Sequence, residues 1–111
     1  MRKLFLVVLA VAALAVAAST AFAATKSVKV GDNYYVRSRG VPTVTVSKGT
    51  KVKWRFVTDT GHSVTVKRGP TKFNSGVRTG GSYSRTMRKR GTYTIYCVIH
   101  GSEQRMKLVV K

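Results

Sequence analysis

In the stretch Lys51-Val52-Lys53-Trp54-Arg55-Phe56 an apolar side chain falls on every second position and a base on the others. A period of two fits a strand with one face buried and the other in water, which puts Val52, Trp54 and Phe56 inward. The same alternation recurs in Thr43 to Val46, in His62 to Lys67, in Thr92 to Cys97 and in Gln104 to Val110. Turn residues cut these runs short: Gly31-Asp32-Asn33, Gly40, Gly49, Gly61, Gly69-Pro70, Gly80-Gly81 and Gly91. Segments near 26–30, 33–37, 42–46, 51–57, 62–67, 82–87, 91–97 and 105–110 give seven or eight short strands and no long helical pattern. That count and spacing predict an all-β fold, a β-sandwich with Greek-key connections. The least regular stretch, Gly69 to Gly80, is expected to be a crossing loop.

The first 23 residues read differently. Arg2 and Lys3 precede the apolar run Leu4 to Ala18, and Ala21-Phe22-Ala23 forms an A-x-A site. The run is short for a membrane span, and the pattern is that of a secretory signal peptide cleaved after Ala23. Residues 24–111 are then one small domain, exported to a periplasmic or other extracytoplasmic, envelope-associated location. Exported cysteines usually pair, yet Cys97 is the only cysteine. It is therefore a free thiol, an interchain bridge or a metal ligand.

The alternation suggests which. Cys97 ends its strand on the inward face, in the stretch Y-C-V-I-H-G-S-E-Q-R-M (Tyr96 to Met106). His62 begins another strand, also inward. His100 follows Cys97 by one short turn, and Gln104 begins the last strand, again inward. If these strand ends meet at one rim of the sandwich, a thiolate, two imidazoles and a weak oxygen donor converge. A His2Cys set with a weak axial ligand is the blue-copper arrangement. The soft thiolate suits Cu(I), imidazole suits both oxidation states, and a rigid sandwich holds one geometry for both.

On these residues the chain resembles the cupredoxins, the small blue copper proteins, most of all the short plastocyanin- and amicyanin-like type. The likeness runs through V-P-T-V-T-V-S-K-G-T-K-V-K-W (Val41 to Trp54), G-H-S-V-T-V (Gly61 to Val66), G-T-Y-T-I-Y-C-V-I-H (Gly91 to His100) and Q-R-M-K-L-V-V (Gln104 to Val110). It implies a type 1 copper ion held by His62, Cys97 and His100. The family usually has methionine as the fourth ligand. Here the core positions Leu108 and Val110 count back to Gln104, while Met106 lies two residues on, ~7 Å deeper along the strand. Gln104 is favoured over Met106 as the axial ligand, as in stellacyanin-type relatives. Where the family often has asparagine after the first histidine, this chain has Ser63, whose hydroxyl can still bond a neighbouring backbone group.

Two other chemistries fit less well. Three strong donors and a poor fourth are not the closed tetrahedron of structural zinc. A cysteine–histidine hydrolase needs a third group to orient its histidine, and only Asp59 is near in sequence. The expectation is a non-enzyme that carries single electrons between redox partner proteins, as a monomer, with His100 at the exposed edge. The other class is a non-redox copper-storage or delivery module, or a basic polyanion-binding envelope protein. The formal charge of +18, less Arg2 and Lys3, leaves +16 on residues 24–111. So large a charge predicts adhesion to anionic envelope polymers or lipid head groups. No nucleic-acid motif is present. The run Arg85 to Arg90 is expected at the end away from the metal, with Lys51, Lys53 and Arg55 as an outward stripe.

Overall fold

The computed structural model describes residues 24–111, so the expected signal segment, residues 1–23, lies outside the described residues. Eight strands follow: β1 (Thr25–Gly31), β2 (Tyr34–Tyr35), β3 (Thr43–Val46), β4 (Lys51–Phe56), β5 (Thr65–Arg68), β6 (Ser82–Thr86), β7 (Gly91–Cys97) and β8 (Gly101–Val110). They form two four-stranded sheets, ordered β2-β1-β4-β6 and β3-β8-β7-β5. Each sheet contains one parallel pair, β1 with β4 and β3 with β8. Only β1–β2 and β7–β8 are sequential neighbours within a sheet, and the other connections cross between sheets. The Greek-key sandwich expected from the alternation is the fold observed, and no described residue is helical.

The inward rows are those the period of two named. Val28, Val30, Val52, Trp54 and Phe56 line one sheet, and Val44, Val46, Tyr93, Ile95, Met106, Leu108 and Val110 the other, all buried. Fully burying side chains of this size contributes about 1.5–3 kcal/mol each. Trp54 sits at the centre, with the Phe73 and Tyr83 rings 5.8 and 6.0 Å from its own.

Two segments depart from the alternation. His62 was expected to open a strand, but regular pairing starts only at Thr65. His62, Ser63 and Val64 are all buried, so no period of two holds there. The stretch Gly69 to Gly80 crosses from one sheet to the other, as expected, but it is pinned on the way. It runs back along 62–66, with Val66 N–H donating to Phe73 O (3.0 Å), Ser75 N–H to Val64 O (2.9 Å) and Arg78 N–H to His62 O (2.8 Å).

Register matters most in the last hairpin. β7 and β8 pair regularly up to Tyr96 opposite Arg105, and then Cys97 pairs with Gly101. Ser102, Glu103 and Gln104 are left over on one side, a local bulge that bends β8 and re-aims its side chains. Val98 to His100 form the turn, closed by Gly101 at φ 62°, a left-handed conformation that glycine adopts without strain.

Candidate metal centre

Three segments meet at the rim where β7 ends: the turn after Cys97, the segment before β5, and the β1–β2 hairpin. Cys97 reaches it because β7 ends on its inward face. His100 lies on the turn, and Cys97 Sγ is 3.5 Å from His100 Nδ1. His62 is set by its backbone, which exchanges two hydrogen bonds with Arg78 (3.0 and 2.8 Å). The His62 and His100 rings stack with centroids 4.8 Å apart. One donor atom from each of His62, Cys97 and His100 lies within 4.8 Å of the others.

Gln104 enters the same space. Its Nε2 donates to the backbone carbonyls of Gly31 (3.2 Å) and Tyr34 (2.9 Å). With the amide nitrogen committed there, Oε1 must face inward. It lies 2.8 Å from His62 Nδ1 and 3.1 Å from His100 Nδ1. The bulge in β8 is what brings it there. Met106, two residues on, pairs with Ile95 and is wholly buried in the core.

The far side of His62 fixes its tautomer. The Asp32 carboxylate, which only accepts, takes the hydroxyl protons of Thr58 and of Thr60 (2.8 Å for Thr60). Thr60 Oγ1 is then free to accept from His62 Nε2–H at 2.9 Å. A neutral His62 therefore presents a bare Nδ1 to the cluster. In that tautomer two acceptors, Nδ1 and Gln104 Oε1, face each other 2.8 Å apart. A cation between them turns that repulsion into ligation, and this is the observation by which the residues fit a metal ion. The donors, one soft thiolate, two imidazoles and an amide oxygen, suit copper.

Asp32 and Thr60 were missed by the sequence reading, which offered Asp59 as the group nearest His62. Asp32 is 30 residues away in the chain, and Gly31-Asp32-Asn33 reads in sequence only as a turn. Hydrogen bonds from Thr58 and Thr60, then from His62, hold the Asp32 carboxyl below its ordinary value. Ser63 behaves as expected: Val98 N–H, in the cysteine turn, donates to Ser63 Oγ at 3.0 Å. The Tyr35 hydroxyl donates to Ser63 O at 2.5 Å, and burial, with the nearby Cys97, pushes its phenol well up.

The rim outside the donors is apolar. Val98 and Ile99 beside His100 and Val77 across from them are exposed. Gly61 lies beneath, where an added Cβ would stand 2.8 Å from Val77.

No protein-family model matches the chain, and no curated relative matches it. Solved structures do. A methionine-to-glutamine mutant of amicyanin in its Cu(I) form superposes with a TM-score of 0.66, at 25% identity over 81% of this chain and 90% of that one. An oxidized methionine-to-lysine mutant of amicyanin gives 0.66 at 24% identity, over 78% and 82%. A purple cupredoxin from Nitrosopumilus maritimus gives 0.64 at 18% identity, over 78% of this chain and 99% of that one. The chain therefore has the cupredoxin-like sandwich fold of these structures, with His62, Cys97 and His100 gathered at its rim as a candidate copper site.

Proposed function

We propose that the protein is an exported blue copper protein that carries single electrons. His62, Cys97 and His100 would hold the ion through both Nδ1 atoms and Sγ, and Gln104 Oε1 would be the weak fourth donor. The facing of His62 Nδ1 and Gln104 Oε1 at 2.8 Å carries this reading. Copper bound there supplies one-electron exchange between Cu(II) and Cu(I).

The residues do the rest. The Asp32–Thr60 chain holds the His62 tautomer, and outer partners of this kind orient metal-binding histidines. Ser63, bonded to Val98 N–H, ties the His62 segment to the cysteine turn, so the donors stay in place when the charge changes. Gln104 is fixed by two carbonyls and cannot swing away. His100 is half-buried beside exposed Val98 and Ile99, and it is the edge through which electrons pass to a partner protein. The amicyanin and purple cupredoxin likenesses support copper as the metal, and the apolar run with its A-x-A site supports export.

Addition of Cu(II) to the purified protein tests it. Intense visible colour from thiolate-to-copper charge transfer is expected, and Cys97→Ser should abolish it. A colourless wild-type protein would end the reading. Reversible voltammetry separates a carrier from a storage protein.

A further inference from the structure

We propose that the outer face of the β2-β1-β4-β6 sheet is a binding platform for a linear phosphodiester polymer with polyol units between its phosphates. The face lies apart from the metal rim, and the inference stands whether or not the rim holds copper.

Strand pairing lays out the chemistry. β4 is an inner strand, and its outward residues are Lys51, Lys53 and Arg55. In register beside them on β1 stand Thr25, Ser27 and Lys29, and on β6 Thr86, Ser84 and Ser82. Lys51 is thus flanked by two threonines, Lys53 by two serines, and Arg55 by Lys29 and Ser82. The result is a column of cations with hydroxyl groups along both sides. All three acids lie elsewhere, towards the rim: Asp32 beside His62, Asp59 in the loop before it, and Glu103 between His100 and Gln104. Among the described residues no Lys or Arg pairs with a carboxylate, and the only carboxylate contact of this kind is Asp32 with His62. Lys29 and Arg55 sit side by side in register, where like charges destabilise a sheet unless an anion lies between them.

Spacing and the flanking side chains together select the partner. Alternate residues of a strand stand ~6.8 Å apart, a repeat that an extended phosphodiester chain with three carbons between its phosphates can follow. Each phosphate would meet one cation, and the bordering hydroxyls would serve its oxygens and the polyol hydroxyls. Single-stranded nucleic acid needs aromatic platforms for its bases. Among the described residues the only aromatic on this side is Tyr34 at the corner, half-buried, with the Lys29 ammonium 5.8 Å from its ring centroid. A bilayer surface would be met better by apolar side chains among the bases, and β1, β4 and β6 present none outward. The opposite sheet face is also basic, but it has no such column: Val109 follows Arg105 and Lys107 on β8, and Tyr96 stands beside Arg105.

Binding of the purified protein to soluble poly(glycerol phosphate), titrated over a range of salt, tests the platform. Two triple variants remove the same charge, and threonine keeps strand propensity in both. Lys51→Thr/Lys53→Thr/Arg55→Thr should weaken binding at least ~10-fold near 0.1 M salt and flatten the log–log salt slope by about 2, at ~0.7 per lost phosphate contact. Lys67→Thr/Arg105→Thr/Lys107→Thr, on the opposite face, should change affinity less than about 3-fold and keep the slope. Equal loss in both variants would overturn the proposal in favour of diffuse charge. Tighter binding to phosphatidylglycerol vesicles or to oligothymidylate than to poly(glycerol phosphate) would overturn it in favour of a membrane or a nucleic acid. Thermal melting confirms that each variant folds, and the colour of the copper-loaded protein reports the rim independently of this face.

Discussion

At the scale of single residues, the candidate centre depends on groups that are not ligands. Thr60 accepts the His62 Nε2–H and passes its own proton to Asp32. Thr60→Val removes the acceptor and leaves Nδ1 free to take the proton. Copper affinity should fall about 10–100-fold, as is usual when an outer partner of a metal-binding histidine is lost, and competition against a chelator measures it. Tyr35 gives a pH prediction. Its phenol is pushed up in the folded protein, whereas in the unfolded chain it titrates near the ordinary value of about 10. The folded state therefore keeps a proton that the unfolded state loses. Its contribution to stability is complete below pH ~10 and declines above it. Wild-type protein should lose stability steeply in alkali, and Tyr35→Phe less steeply. At neutral pH the variant is less stable by about 1 kcal/mol, for the lost bond to Ser63 O. Denaturant titrations at neutral and alkaline pH read both effects.

Among elements, β8 separates the proposed axial ligand from the core. Gln104 and Met106 share a face and look alike in the sequence pattern. The bulge in β8 between Gly101 and Arg105 lifts Gln104 out of regular pairing, while Met106 stays opposite Ile95. The two positions should therefore answer differently to substitution. Gln104→Met exchanges a hard donor for a soft one, so the reduction potential should rise, by about 59 mV for each tenfold shift of the equilibrium towards Cu(I). Met106→Ala should leave colour and potential nearly unchanged but cost about 2–5 kcal/mol of stability as a core truncation. Voltammetry and thermal melting of the two variants separate them.

For the whole molecule, charge is the dominant feature. Residues 24–111 carry +16, the +18 of the chain less Arg2 and Lys3, and among them no Lys or Arg is paired with a carboxylate. Salt then has little attraction to screen and much repulsion. The melting temperature should rise between ~10 mM and ~0.5 M sodium chloride, over which the screening length shrinks from about 30 Å to a few ångströms. A fall over that range would mean that attraction between surface charges outweighs repulsion. The three acids gather at the rim, so the molecule has a basic body and a less charged, apolar edge beside His100.

Much of this was legible in the sequence because strand periodicity is local. Alternation in Lys51 to Phe56 and in Gln104 to Val110 fixes which side chains face inward, whatever the rest of the chain does. So the sandwich, the core rows, and Cys97 with His62 and Gln104 on inward faces, His100 one turn beyond, could all be read from neighbouring residues. The buried run His62-Ser63-Val64, the bulge that separates Gln104 from Met106, and the Asp32–Thr60 chain behind His62 could not. Each depends on contacts between segments distant in sequence, and no local pattern records which turn lies against which strand end. Sequence alone determined the donors' chemistry and the faces they occupy. Tertiary structure decided that they share one point in space and which lone pairs are aimed at it.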